Sequence, residues 1–243
     1  MTIDSVNKSQ RKAAKVVGLA YLLVIIPAIF AEFYIGAQIL VYDNAAQNAL
    51  NILAHERLFR LGLAANLTVF VIDVILIAAL YVVLKPVNRS LALLAAFWRL
   101  VETAVLVNVV LSDLDVLRVL SGAGYLHGFE ADRLHGLARL SVGAHDAAYG
   151  VGLVFAGIGS TVFCYLWYKS RYIPRALAVL GMFSSFLLAA STFSFIIFPE
   201  LSKVVSVAYY GTPIFVFEVA IGFWLLFAKL RAPGITQPAV NNS

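Results

Sequence analysis

Apolar residues run through this chain in long unbroken stretches. They follow neither the alternation of a half-buried strand nor the narrow stripe of a surface helix. Six stretches reach the ~20 mainly apolar residues that a helix needs to span a bilayer: about 14–35, 61–84, 91–112, 141–168, 175–198 and 206–229. Continuous runs exclude a β-barrel, whose strands alternate. The links KPVNRS (85–90) and KSRYIPR (169–175) are short and polar. The pattern therefore predicts an all-α, polytopic membrane helix bundle with six transmembrane helices, one domain over 1–232. The polar tail 233–243 is expected to be disordered.

Two longer pieces fall outside the spans, about 36–60 and 113–140. Each holds an amphipathic stretch, AAQNALNILAHERLFRL (45–61) and EADRLHGLARL (130–140). Their periodicity predicts two short helices on the outer face, lying at the interface and starting at Asn44 and Glu130. An alternative has the third span continuing past Leu111 to about Leu120, lifting Asp113 and Asp115 above the membrane.

Composition excludes whole classes of function. Hydrophobic residues make up 62% and charged residues 13%, against roughly 45–50% and ~25% in soluble domains. A soluble enzyme and a disordered chain are ruled out. The net charge of +5 would raise the question of nucleic acid, but its placement answers that. Eleven of the 18 Lys and Arg residues collect on one side: Lys8, Arg11, Lys12, Lys15, Lys85, Arg89, Lys169, Arg171, Arg175, Lys229 and Arg231. The other side has Arg57, Arg60, Arg118, Arg133, Arg139 and Lys203. By the positive-inside rule the first side is cytoplasmic, which puts both termini in the cytoplasm of a multi-pass plasma-membrane protein. Trp167, Tyr168, Tyr172 and Trp224 mark the inner boundary. Tyr34, Tyr42, Tyr209 and Tyr210 mark the outer one. The lipid bilayer is the expected partner and nucleic acid is not. The basic N-terminus imitates a signal peptide, yet Ile29 stands where a cleavage site wants a small residue, so the first helix is expected to be retained. With one cysteine, Cys164, there is no intrachain disulfide and no CxxC motif.

An ionisable group at mid-bilayer costs at least ~2.5–3.5 kcal/mol on insertion scales, so it faces a partner or a cavity. Asp73, Arg99, Glu102 and Glu218 all fall near the centre of their spans. Arg99 and Glu102 are three apart and share a helix face. Three carboxyls against one permanently charged guanidinium would leave a net −2 in a low-dielectric site. At least one carboxyl is therefore expected to hold its proton at neutral pH. Such a group could relay protons, bind a cation or act as an acid; alternatively Arg99 is a clasp to Asp73 or Glu218 that fixes helix register.

A shallower group toward the outside comprises Glu32, Asn66, His145 and Asp146, expected to line a vestibule leading to Asp73. Histidine with carboxylates is metal-ligand chemistry, but no HxxxH or HExxH occurs, and neither metal nor other cofactor is expected. Helix four carries Gly143, Gly150, Gly152, Gly157 and Gly159, small residues that allow close helix approach. Pro27 and Pro213 are expected to bend helices one and six. The junction His55-ERLF-Arg60-Leu61-GLAA-Asn66 also echoes His135-GLA-Arg139-Leu140-SVGA-His145, as a duplicated hairpin or as chance among apolar text would produce.

The segments FAEFYI (30–35), RLGLAANLTVFVID (60–73), LYVVLKPVNRSLALLAAFWRLVE (80–102), AHDAAYGVGLVFAG (144–157) and YLWYKSRYIPRALAVLG (165–181) resemble a bacterial integral-membrane family. That family is defined only as domain of unknown function four-three-eight-six. The resemblance covers about 12–230, with LKPVN (84–88) and KSRYIPR (169–175) its most specific parts. It implies a membrane protein of about six helices and brings no substrate, cofactor or catalytic residues.

Three functions fit these features. One is binding or transport of a small or lipophilic solute coupled to carboxyl protonation, for which six helices suggest a homodimer. Another is a non-catalytic accessory, sensor or scaffold subunit. The third is an intramembrane acid–base enzyme acting on a lipophilic substrate. A wet cavity reaching Asp73 would favour the first, and a dry, paired ionic cluster the second.

Overall fold

Asparagine, serine and proline punctuate the helices. In the computed structural model, which describes residues 7–39, 41, 44–121, 128–228 and 230, Asn7 opens the first helix through a capping box with Gln10. Asn44, Asn88 and Ser206 each accept a backbone N–H at a later helix start. Such caps satisfy donors that the first helical turn leaves without partners. The described residues form α1 (Lys8–Ala28), a π-helix (Ile29–Ile35), α2 (Gly36–Ile39), α3 (Ala45–Ala54), α4 (Glu56–Leu84), α5 (Arg89–Leu120), α6 (Ala131–Ser170), α7 (Arg175–Ile197), α8 (Pro199–Val204) and α9 (Val207–Phe227). No strand occurs among them. Tyr42, His127, Lys229, Arg231 and the tail lie outside the described residues.

Six helical stretches are long and apolar enough to cross a membrane: Lys8–Ile39, Glu56–Leu84, Arg89–Leu120, Ala131–Ser170, Arg175–Ile197 and Val207–Phe227. Each corresponds to one expected span. The two outer helices turn out differently. α3 starts at Asn44 as expected, but the amphipathic stretch breaks at His55, and its last residues open α4. The stretch after Glu130 is no separate interfacial helix; it is the first three turns of α6, which continues to Ser170. Helical hydrogen bonding propagates once a turn exists, and no Pro interrupts the chain between Glu130 and Ser170. α5 likewise runs unbroken to Leu120, the alternative reading of that segment.

Packing follows chain order around a closed ring. α1 packs on α4, α4 on α5, α5 on α6, α6 on α7, α7 on α9, and α9 returns to α1. α5 and α6 share the most extensive contact, and α3 lies against α6. Two glycines explain how α5 and α6 come so close. A Cβ on Gly152 would meet Leu106 Cδ2 at 2.7 Å, and one on Gly159 would meet Arg99 Cγ at 2.8 Å. These pairs sit on one seam, seven residues apart on both helices. Small residues there let backbones approach where no hydrophobic effect drives helices together in lipid.

The interior is divided. One apolar cluster fills the end that holds the N-terminus and the short links, from Val17 and Leu80 to Trp167, Tyr172 and Ile221. The other fills the opposite end, from Ile39 and Phe59 to Leu106, Val116 and Val142. We call these the terminal and distal ends. Between the clusters lie the polar positions of α4 and α5.

Candidate functional site

The central layer forms where three chain positions reach the same depth. Asp73 lies eleven residues from the terminal end of α4, Arg99 ten from that of α5 and Glu218 nine from that of α9. At 1.5 Å per residue each is ~14–16 Å in, the middle of a ~30 Å hydrocarbon core. Arg99 Nη1 donates to Glu102 Oε1 at 3.0 Å and lies 2.8 Å from Oε2. Arg99 Nη2 donates to Asp73 Oδ1 at 3.4 Å. Thr103 Oγ1 donates to the Arg99 carbonyl one turn back. The side chains of Asp73, Arg99 and Glu102 are 9%, 10% and 5% exposed. Gly159 lies against the arginine stem and the Ala95 carbonyl. Of the two partners the sequence offered Arg99, the ion pair forms with Asp73 and ties α4 to α5. Glu218 does not join it by a hydrogen bond or ion pair among the described residues. It is half-buried on α9, within electrostatic range of Arg99 and Asp73.

The second layer lies nearer the distal end, on the same faces. Asn66 is seven residues from Asp73 on α4, two turns. Asp113 is eleven from Glu102 on α5, three turns. Both intervals return a 3.6-residue helix to nearly the same face. His145 is seven residues before Gly152 on α6 and so continues the α5–α6 seam. Its Nδ1 is 3.0 Å from Asp113 Oδ1, and its Nε2 is 3.6 Å from Glu32 Oε2. Asn66 Nδ2 donates to Glu32 Oε1 at 2.9 Å and orients that carboxyl. Tyr149, one turn along α6, stacks near-parallel to the imidazole at 6.4 Å.

Glu32 owes its place to irregular backbone. Pro27 lacks an N–H and removes one link from the helical ladder. Two residues later the chain widens into the seven-residue π-helix, with Glu32 in its middle. π-segments are rare and gather at functional sites. The expected bend at Pro27 thus takes the form of a change in helix type.

A cavity of about 60 Å³ opens here, lined by Glu32, Asn66, Asp113, His145 and Asp146 among apolar neighbours. One water needs ~10–15 Å³ of such volume, so several fit. All four expected vestibule residues line it. Asp73, Arg99 and Glu102 do not. Asp113 is not among the expected vestibule residues, and the alternative reading of its segment lifts it above the membrane. It is instead buried against His145, whereas Asp115, two residues on and on another face, is exposed and pairs with Arg118. The eleven-residue interval from Glu102 was the signal that could have found it. Asn66 and His145, which end the two echoing junctions, meet in this one cavity.

The chemistry of the trio follows from counting protons. Both ring nitrogens of His145 face carboxylate oxygens. A neutral imidazole has one N–H and would turn a lone pair on the other carboxylate. One proton shared among the three, on the ring or on a carboxyl, would satisfy both contacts. Among the described residues no group of three or more His, Cys, Asp and Glu is arranged to hold a metal ion. Cys164 is buried in the terminal cluster, away from this layer.

The membrane helices and the motifs at their links find their counterpart in one family. The family model described as a domain of unknown function (DUF4386) matches residues 16–228. The chain belongs to this family. The match spans every residue of both polar layers. No curated protein and no solved structure matches the chain.

Proposed function

We propose that this family member is a multi-pass protein of the cell membrane, with both termini cytoplasmic, that binds a proton or a very small solute in its distal cavity. Its role is transport or sensing. One observation carries the reading: His145 is held between Glu32 and Asp113 inside a polar cavity. Volume limits the ligand, because drug-sized molecules occupy ~300–1,000 Å³ and this cavity offers about 60 Å³. Titratable carboxyls remain the coupling groups, but the group that does the work is Glu32 and Asp113 with His145.

Infrared difference spectra of purified protein between acid and alkaline pH test this. Groups that share a proton titrate as a unit, so imidazole and carboxyl bands should change in one transition. His145→Gln should remove both bands, and Asp113→Asn should alter the imidazole band. Bands that change independently, or that survive His145→Gln, would refute the shared proton.

A second reading has its own support. The Asp73–Arg99–Glu102 group is paired, buried and outside the cavity lining. That is how a scaffold clasp looks. We assign this layer to structure and the distal layer to chemistry, so an accessory subunit is the alternative if the distal trio proves inert.

A further inference from the structure

Most cations are treated differently at the two ends of the bundle. At the distal end four of the six, Arg60, Arg118, Arg133 and Lys203, each pair with an acid three or four residues away: Glu56, Asp115, Glu130 and Glu200. At the terminal end Lys8, Arg11, Lys12, Lys15, Lys85, Arg89, Lys169, Arg171 and Arg175 are all exposed. No acidic residue lies among the described residues of that end. Lys85 sits over the Tyr81 ring at 5.8 Å and Arg175 over Tyr168 at 5.5 Å, contacts that leave the charge in place.

These cations come from three separate chain segments, and one buried side chain draws the segments together. Gln10 Nε2 donates to the Val83 carbonyl at 3.0 Å and to Tyr172 Oη at 3.3 Å. That links the first turns of α1 to the end of α4 and to the α6–α7 link. The link is itself anchored, since Tyr172 and Ile173 are fully buried and Tyr172 meets Trp167 edge-on. Arg171, at φ 55°, makes the left-handed turn between them. Its neighbours plug into the core while the basic side chains stay outside. Exposed Tyr165 and Tyr168 stand at the same level, where amphipathic rings mark the headgroup zone of a bilayer.

We propose that this basic end, whose segments Gln10 joins, is a binding surface for anionic phospholipid headgroups. Exposed cations at headgroup depth, with no acid among the described residues of that end, leave compensation to the lipid phosphates. Each basic side chain near an anionic surface contributes on the order of fivefold in affinity. The surface is independent of the distal cavity, and so is its test.

The test uses the full chain in nanodiscs of equal parts phosphatidylcholine and phosphatidylglycerol. Lipids that stay bound after detergent extraction are counted by native mass spectrometry. Wild type should retain phosphatidylglycerol several-fold above its share of the bilayer. Lys169→Gln/Arg171→Gln/Arg175→Gln should lose most of that excess, and Lys85→Gln/Arg89→Gln part of it. Lys203→Gln at the distal end should lose none. High salt should erase the excess in wild type through screening, so the result does not depend on a variant folding. Inorganic phosphate without lipid should not raise the unfolding temperature. Retention in proportion to bulk composition would overturn the proposal. So would an excess that survives both high salt and the triple substitution, and stabilisation by phosphate alone would reassign the surface to free anions.

Discussion

The central and distal layers use the same helix faces and similar residue types, and they end up as opposites. In the central layer the cation is arginine. It stays charged, spreads five donors in a rigid fork and locks onto two carboxylates. Gly159 brings α6 down on its stem. In the distal layer the cation is histidine, whose charge depends on a proton it can give up, and its side chain is 16% exposed beside a cavity. The layer whose cation cannot lose its charge is packed shut, and the layer whose cation can lose it is left room for water. What separates the two layers is the kind of cation each carboxyl faces, more than the number of carboxyls.

The sharpest way to break this contrast is to remove the permanent charge. Arg99→Leu strands Asp73 and Glu102 without their cation, and losing one partner of a buried pair costs about 3–5 kcal/mol. Chemical unfolding in detergent should show a loss of that size; a loss under about 1 kcal/mol, typical of an exposed pair, would deny the layer its structural role. Gly159→Val tests the close approach. Its Cβ would press on the arginine stem, and overpacking of this kind costs about 1–3 kcal/mol. Unfolding as stable as wild type would mean that the seam has slack.

Asp113→Asn and His145→Gln should cost less, about 1 kcal/mol each, because a typical net hydrogen bond is worth that much and the cavity can hydrate what remains. Their main effect should be on the shared infrared transition, altered by Asp113→Asn and lost in His145→Gln. If either proves as damaging as Arg99→Leu, the two layers do the same job and the contrast fails. The smallest change should come from Arg118→Gln. That residue's exposed bond to Asp115 belongs to a class of pairs worth about 0–1 kcal/mol, so both unfolding and the infrared transition should stay as in wild type.

Much of the fold was legible in the chain. Long apolar runs specify spanning helices because backbone polar groups in lipid must be satisfied within the segment. All six expected spans therefore correspond to helices. Helix starts at Asn44 and Glu130 could also be read, since capping and turn chemistry act over a few residues. The failure lay in assuming that amphipathic text begins a new element. The segment from Glu130 to Leu140 shows that a helix can leave its apolar stretch without breaking. The site was half legible. Glu32, Asn66, His145 and Asp146 announced themselves as polar residues in or beside apolar text, and they line one cavity. Asp113 was hidden because it reads together with Asp115 as lying past the span unless its face is followed back to Glu102.

The sequence by itself determined that this is a six-span helical membrane protein with its basic residues gathered at one end. It also determined that carboxyls with Arg99 occupy the mid-span level. These are properties of single segments, read from length, hydropathy and period. Tertiary structure alone decided the partners. It gave Arg99 to Asp73 and Glu102, left Glu218 outside that clasp, and seated His145 between Glu32 on a π-helix and Asp113 on α5. It also used Gln10 to join three basic segments. Each of those outcomes depends on how helices rotate and approach one another. That is set by small residues such as Gly152 and Gly159 and by the widening after Pro27, whose effects are felt on neighbouring helices, not on their own.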